Sequence, residues 1–420
     1  MRSKNGADDR AHVVDAVVTF VCVLFLFSGA IKSSPALAWV PFDLTLASGL
    51  AIVLGIAARF VRAGTSFVVE PKAVLFLVAF LPGLFFGVQN EYASDKLQGM
   101  LLTAIALAAS FYLLTNERRQ RYWIMWFVVL GSAVLLNGLV FPNVEVAVGR
   151  LAAEGSNTIT AGRATGAALV IAFSLLMVSH GASRIGLAAL AVVFAYGMLE
   201  SGSRGPVFAA GLAVVAVAVF VSRQGKFRRF VLVAIGLIFA WLFITRSSSS
   251  GIERIQGAFA SDGSATASRD AIWAAATRYI SDVPQSFTGV GWANFSSVLR
   301  NGEALDSGDR QYAHNVVLEA FVEGGWIAGL ATVVFLVLSL LRLRRLALTT
   351  VGAVLFALGI YFVVNAMVSG DVNDNRMMWA TLALSWIGPV GHRETGAREG
   401  RSGPKDRSRT ESAGTLKGFA

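Results

Sequence analysis

The chain has 420 residues, of which 55% are hydrophobic and only 15% are charged, and its mean hydropathy is +0.63. Soluble domains carry about 25% charged residues, so this composition excludes an ordinary soluble protein. The net charge of +10 is spread between apolar runs, which argues against a nucleic-acid-binding protein, and the single cysteine, Cys22, excludes a disulfide within the chain.

Twelve apolar runs with almost no charge follow one another along the chain. About 20 helical residues cross a hydrocarbon core of about 30 Å, so these runs predict an all-α integral membrane protein with about twelve transmembrane helices. The first run resembles a signal peptide, but further runs follow at once, which predicts an uncleaved first helix. The approximate extents are 12–31, 39–58, 73–88, 98–115, 122–141, 164–180, 185–200, 206–222, 230–245, 313–341, 350–368 and 377–391.

The basic residues between these runs predict an orientation. If the N-terminus is cytoplasmic, 24 of the 36 Lys and Arg residues lie on the cytoplasmic side and every cytoplasmic segment contains at least one. Because cytoplasmic segments of membrane proteins are enriched in Lys and Arg, we predict that both termini are cytoplasmic. Residues 1–391 would form the membrane domain, and residues 392–420, rich in Gly, Ser and Arg, a disordered basic cytoplasmic tail.

The predicted outer face is rich in arginine. Its planar fork of donors suits phosphate groups, so this face suggests an anionic ligand at the interface, such as a lipid-linked phosphate. For any one arginine, a salt bridge to an acidic neighbour is the alternative. The ten outer arginines are Arg150, Arg163, Arg204, Arg246, Arg254, Arg269, Arg278, Arg300, Arg310 and Arg376.

One loop, 246–312 between spans nine and ten, is much longer than the others. Its stretch from Ser268 to Ile280 predicts an amphipathic helix, with Ser268 as N-cap and Arg269 at the start. Trp273 lies on the apolar face of this helix, together with Ile272, Ala276 and Ile280. Long loops that are not disordered are commonly functional, so we predict that this one folds over the outer membrane surface.

The stretch "SGSRGP", residues 201–206, carries candidate functional groups. Pro206 fits the first turn of a helix and Ser203 its N-cap, which places Arg204 beside a positive helix end. This predicts an anion site, with a tight turn and a snorkelling arginine as the alternative.

His314 lies near the start of span ten. The positive helix end and the nearby arginines would keep its imidazole neutral, so that it can accept a proton from a hydroxyl group. Asn315 could orient the ring or bind a sugar hydroxyl. The alternative is that His314 only caps the helix.

Two further polar clusters lie on the outer side, and no known metal or nucleotide motif is present. "GDVNDNRMMW" ends with Arg376 at the start of span twelve, and "GRLAAEGSNTITAGR" ends with Arg163. The sequence contains no HExxH, CxxC pair or Walker loop. We therefore predict no metal, no cofactor and a donor that arrives already activated.

Three motifs follow one another within residues 200–335: "GSRGP", then "SRDAIWAAATRYISDVPQSFTGVGWANF", then "AHNVVLEAFVEGGWIAGL". In this order they resemble the O-antigen ligase/polymerase family. The second contains the R-x-x-x-W of the family, beginning at Arg269, and the third its H-N pair. "EGGWIAG" departs from the E-L-G-x-x-G of many relatives, which leaves the acceptor open.

The resemblance implies a GT-C-like glycosyltransferase of the bacterial inner membrane that acts in lipopolysaccharide or polysaccharide biosynthesis without a metal. Such enzymes take a glycan from undecaprenyl pyrophosphate on the periplasmic side. A ligase passes it to lipid A-core, a polymerase to another lipid-linked repeat, and a protein O-oligosaccharyltransferase to a side chain. By motif, Arg204 would hold the pyrophosphate and His314 would lie at the catalytic centre, so these two are the predicted catalytic residues, and Arg269 matches the R of R-x-x-x-W. Further substrate-binding candidates, chosen for their place on the predicted outer face, are Ser203, Asn315, Arg163, Arg278 and Arg376.

A secondary transporter is the competing class, because twelve spans would suit one. It should show internal repeats and polar residues near the bilayer midplane. The sequence has no clear repeat and its charges cluster toward the membrane faces, which favours an interfacial enzyme.

Overall fold

A computed structural model describes residues 2–32, 34–63, 83, 85, 91–143, 150–152, 156–179, 181–221, 264–299 and 312–387. Regular structure within these residues consists of helices. They are α1 Arg2–Ile31, α2 Leu44–Ala63, α3 Glu91–Leu113, α4 Glu117–Val140, α5 Thr158–Val178, α6 Ser183–Glu200, α7 Arg204–Phe220, α8 Ser264–Ser281, α9 Val283–Ser286, α10 Phe295–Leu299, α11 Val316–Leu346, α12 Thr350–Ala366 and α13 Arg376–Ala383, with short 3₁₀ helices at Pro35–Leu37 and Leu384–Trp386.

Seven of these helices are long and apolar enough to cross a membrane: α1 to α6 and α11. The helices α7 and α12 are equally apolar but have only 17 residues each. The described chain is therefore an all-α, multi-pass membrane protein, as predicted. Of the twelve predicted spans, 73–88 and 230–245 lie almost entirely outside the described residues, so the count of twelve stays a prediction.

The centre of the bundle is α5, which packs against α4, α6, α7 and α12. Small residues allow this close approach, as is common between membrane helices. A Cβ on Gly131 of α4 would lie 3.0 Å from the Cβ of Ala168 on α5. On the other side of α5, the buried hydroxyl of Tyr361 from α12 donates to the carbonyl oxygen of Arg163 at 3.1 Å.

The helix α11 is broken at Gly325, where φ is 76° and ψ is −173°. A short segment of the long loop binds the backbone groups at the break: Val290 N–H donates to Val322 at 2.8 Å, and Trp326 N–H donates to Phe287 at 3.1 Å. This pairing satisfies groups that a helix break in a membrane would otherwise leave unbonded. The segment comes so close that a Cβ on Gly289 would lie 2.5 Å from the carbonyl oxygen of Glu323.

The amphipathic helix predicted in the long loop is α8. Its residues Ile272 and Ala276 are buried against Phe295 of α10 and Val322 of α11. The helix begins at Ser264, so the prediction that Ser268 is its N-cap was wrong. Loop residues 246–263 and 300–311 and the tail from 392 to 420 lie outside the described residues.

Candidate active site

The His314 backbone has a φ of 52°, in the left-handed region that L-residues rarely adopt. Contacts on both sides hold this conformation. The indole Nε1 of Trp273 donates to the carbonyl oxygen of Ala313 at 2.8 Å. On the other side, Asn315 is the N-cap of α11, and its Oδ1 accepts from the N–H groups of Val317 at 3.0 Å and Leu318 at 3.1 Å. The histidine is thus held between α8 and α11.

This geometry explains the R-x-x-x-W motif. Arg269 and Trp273 are four residues apart on α8, so they lie on the same helix face. The tryptophan fixes the backbone before His314, and the positive charge of Arg269 acts on the ring itself. The amide oxygen of Asn315 is occupied by capping, so the predicted sugar contact would rest on its amide nitrogen.

The imidazole of His314 is half-buried, and burial lowers its pKa below the ordinary value. The positive charges of Arg269 and Arg163 lower this pKa further, and the negative charge of Asp371 opposes them. The neutral ring was predicted from nearby arginines and a helix end, and the structure adds burial as the largest cause. The ring of Tyr312 lies 4.4 Å from the imidazole, centroid to centroid, and burial raises the pKa of that phenol to about 12.

Arg163, on α5, reaches across to a loop that we call the acidic loop, residues 369–375. Its Nη2 donates to the carbonyl oxygen of Ser369 at 2.6 Å, and its Nη1 to that of Asp374 at 3.4 Å. Its buried Nε has no hydrogen-bond partner among the described residues. Arg163 therefore holds the acidic loop beside His314, in addition to any contact with substrate.

The acidic loop is folded around Asp371, whose side chain is buried. Its Oδ1 accepts from the N–H groups of Asn373 at 2.7 Å and Asp374 at 2.6 Å. The amide Nδ2 of Asn375 donates to the Asp371 carbonyl oxygen at 2.6 Å. These bonds fix a negative charge close to the histidine.

The turn before α7 differs from the prediction. Ser203 occupies the N-cap position but makes no side-chain capping bond, so its predicted cap was wrong. The hydroxyl that serves the turn is that of Ser201, which accepts from Ser203 N–H at 3.3 Å. The Oγ of Ser203 is buried and has no partner among the described residues.

Arg204 begins α7 and is half-buried. The next residue, Gly205, faces the end of α12, because a Cβ there would lie 3.6 Å from Asn365 Oδ1. That oxygen is also buried without a partner among the described residues. Two unpaired polar atoms, from Ser203 and Asn365, thus lie at the positive end of α7 beside Arg204, which makes this end suited to a polar ligand.

The remaining candidate arginines lie elsewhere. The guanidinium of Arg376 is 5.7 Å from the ring centroid of Phe25 on α1 and feels the charges of Asp374 and Asp371. Arg278 is exposed in the last turn of α8, at the opposite end of that helix from Arg269. Of the predicted arginines, Arg163 and Arg269 are the two whose charges act on His314.

Sequence reasoning missed a group of buried charges, Lys96, Glu319 and Glu323. Lys96 on α3 forms ion pairs with both carboxylates of α11, and all three side chains are fully buried. The available signal was the spacing of Glu319 and Glu323, four residues apart at the start of an apolar span, where charged side chains are costly and usually functional. Among the described residues, no cluster of His, Cys, Asp and Glu could hold a metal ion, and metal independence stays a prediction.

Residues 188–333 match the family model described as O-antigen ligase. This segment, about a third of the chain, is similar to O-antigen ligases. The matched segment contains Arg204, Arg269 and His314, whereas Lys96, Arg163 and the acidic loop come from outside it. No curated protein matches the chain significantly. The described chain thus combines membrane-spanning helices with a segment similar to O-antigen ligases.

Proposed function

We propose that this protein transfers a glycan from undecaprenyl pyrophosphate to an acceptor hydroxyl such as that of lipid A-core, on the periplasmic face of the bacterial inner membrane. The observation that carries the proposal is the neutral, rigidly held imidazole of His314, with Arg269 and Arg163 acting on it. A neutral imidazole is a suitable general base at neutral pH. Fixed guanidinium groups nearby are suited to an anionic lipid donor.

In the proposed reaction, a ring nitrogen of His314 takes the proton from the acceptor hydroxyl. The acceptor oxygen then bonds to the anomeric carbon of the donor glycan, and the bond from that carbon to the pyrophosphate oxygen breaks. The electron pair of this bond leaves with undecaprenyl pyrophosphate. Negative charge grows on the leaving group, where fixed positive charge and helix N–H groups stabilise the transition state.

Arg204 and the first turn of α7 would bind this leaving group. The support is the positive helix end, the guanidinium of Arg204 and the unpaired hydroxyl of Ser203, which can donate to a phosphate oxygen. Arg269, whose charge acts on His314, would contact the donor closer to the reacting carbon. Arg376 and Arg278 remain candidates for parts of the substrate farther from the ring.

The test is transfer by the purified protein in lipid nanodiscs, with an undecaprenyl-pyrophosphate-linked glycan as donor. We expect lipid A-core to be glycosylated by the wild type and not by His314→Ala, while donor lipid still binds to the variant. EDTA is expected to leave the rate unchanged. Inhibition by EDTA that a divalent ion reverses would contradict metal independence.

The acceptor decides the subclass. A ligase variant lacking His314 should leave long glycans on undecaprenyl pyrophosphate beside bare lipid A-core, whereas a polymerase variant should leave single repeats. Transfer to a protein would identify an O-oligosaccharyltransferase. Solute flux into proteoliposomes without glycan transfer would favour the transporter class and contradict the proposal.

A further inference from the structure

Lys96, Glu319 and Glu323, which we call the Lys96 cluster, join two membrane helices. The Lys96 Nζ donates to Glu319 Oε1 and, at 2.5 Å, to Glu323 Oε2. Burying ions costs several kcal/mol for each, and replacing a buried ion group by uncharged residues is often neutral or stabilising. Stability alone is therefore a poor explanation for these charges.

The cluster holds two further segments through its remaining atoms. Glu319 Oε2 accepts from Val372 N–H at 3.2 Å, and the Lys96 carbonyl oxygen accepts from Asn373 Nδ2 at 3.0 Å, so the acidic loop is bound twice. Glu323 Oε2 accepts from Ala293 N–H at 3.1 Å. One ammonium group thus joins α3, the first turns of α11, the turn at 291–294 and the acidic loop.

Two of these segments determine the surroundings of His314. The first turn of α11 begins at its neighbour Asn315, and the acidic loop carries Asp371. The charged groups that face the ring come from three elements: Arg269 from α8, Arg163 from α5 and Asp371 from the acidic loop. Since Arg163 also donates to the acidic loop, the position of this loop sets the distance between these charges.

We infer that Lys96 is a positioning residue for glycan transfer, which holds the acidic loop and the first turn of α11 in place beside His314 through Glu319 and Glu323. This inference rests on the proposed function in one respect: glycan transfer is the reaction that Lys96 would support. Lys96 touches no reacting group, because its ammonium is occupied by the two carboxylates. It acts through the residues that it anchors.

The test uses two variants of the full-length protein in nanodiscs. Lys96→Met removes the ammonium but leaves two buried carboxylates, which can prevent folding. The triple variant Lys96→Met/Glu319→Gln/Glu323→Gln is neutral and avoids that problem. In both we expect kcat to fall about 10²-fold, the size of effect that a displacement of about 1 Å can have. The donor KM should be unchanged, because Arg204 and α7 are outside the cluster.

A second measurement does not depend on transfer. In a background with His12, His180 and His392 replaced by Gln, the rate of carbethoxylation by diethyl pyrocarbonate against pH reports the protonation of His314. The variants weaken the hold of Glu319 on Val372, and the resulting shift of the acidic loop moves the charge of Asp371 away from the ring. We therefore expect the midpoint to shift to lower pH in both variants, which a purely structural role of Lys96 would not cause.

Lys32→Met is the matched control, because Lys32 forms an exposed ion pair with Asp43. It should retain the wild-type kcat and midpoint. A folded triple variant with the wild-type kcat and the wild-type midpoint would overturn the inference. A variant whose melting temperature falls while its kcat and midpoint stay at the wild-type values would also overturn it. Failure of the triple variant to fold would also overturn it, since the cluster would then serve the fold. If the wild type transfers nothing but the midpoint still shifts, the proposed function fails and the anchoring role stands.

Discussion

The indole of Trp273 is hydrogen-bonded to the carbonyl oxygen of Ala313, 40 residues later in the chain, at 2.8 Å. This bond ties α8 to the residue that precedes His314. It links two motifs that are separate in the sequence, R-x-x-x-W and H-N, into one unit.

Trp273→Phe removes this bond and keeps most of the apolar ring. We expect kcat to fall by about 10²-fold, because the backbone before His314 is no longer fixed, with a loss of only about 1 kcal/mol in stability. Transfer kinetics and thermal unfolding measure the two effects. Trp39→Phe is the control, since the exposed Trp39 also donates to a backbone carbonyl, that of Ala36 at 3.0 Å. An equal loss in the control would contradict the assignment.

Arg269→Gln should change the pH dependence of transfer. Arg269 lowers the pKa of His314, so its removal raises that pKa toward the ordinary value. The neutral ring exists above its pKa, and the acid limb of kcat/KM should therefore move to higher pH. Arg278→Gln removes a charge nine residues along α8, about 13 Å away along the axis and beyond a Debye length of about 8 Å. If the acid limb moves equally in both variants, the shift does not come from the charge of Arg269 close to His314.

Gly325→Ala should destabilise the protein. A Cβ at Gly325 would collide with the carbonyl oxygen of Phe287, and φ is 76° there. Overpacking of this kind destabilises by about 1–3 kcal/mol, and the left-handed backbone adds to it. Gly211→Ala in α7 is the control, because a Cβ there meets nothing within 4 Å and should raise helix stability by about 0.5–1 kcal/mol. Unfolding of the purified proteins measures the stability of both variants. A Gly325→Ala variant as stable as the wild type would contradict the tight pairing at the break.

Arg204→Lys keeps the charge and loses the planar fork. If Arg204 binds the pyrophosphate through two hydrogen bonds, the loss of one charged hydrogen bond, about 1.5–3 kcal/mol, should lower kcat/KM roughly 10- to 100-fold. Membrane insertion and the melting temperature should be unchanged. Turnover close to that of the wild type would show that a point charge is enough and that the bidentate contact is absent.

The orientation is tested by labelling single cysteines in intact cells, in a Cys22→Ser background. We expect an impermeant reagent to label cysteines introduced at Ser156, Ser250 and Asn301, and not those at Ser222 and Ser402. The reason is the excess of basic residues on the predicted cytoplasmic side. Labelling at position 402 would reverse the orientation, and with it the periplasmic location of the site.

The sequence predicted α1 to α6 and α11 well, because each of these apolar runs is long enough to span the membrane. Predicted span twelve, 377–391, begins with a helix of only eight residues, Arg376–Ala383, followed by a 3₁₀ turn. The sequence did not predict the break in α11, since 313–341 contains no proline and is long enough for a single span. The only signal was the pair Gly324 and Gly325. Whether such a pair breaks a helix depends here on a loop segment more than 30 residues earlier. A helix break is stable there only because that segment satisfies the freed backbone groups.

The candidate site was predicted in part. The lowered pKa of His314 was predicted from the helix end and the outer arginines, but burial, the largest cause, depends on the packed fold. Ser203 makes no cap bond, and Pro206, the third residue of α7, has no N–H that its hydroxyl could accept from. The Lys96 cluster was not foreseen, because Lys96 and Glu319 are 223 residues apart and no local pattern connects them.

The helix break also predicts the depth of His314 in the bilayer. From Trp326 to Leu346, α11 continues for 21 residues, a rise of about 31 Å, which equals the thickness of the hydrocarbon core. If Arg344 and Arg345 lie at one headgroup layer, we expect the break at the opposite one. The turns that precede it would then place His314 above the acyl chains, at the level of the phosphates of a membrane-anchored polyprenol. The donor could then react without leaving the bilayer, and the acceptor hydroxyl could reach the ring from the aqueous side.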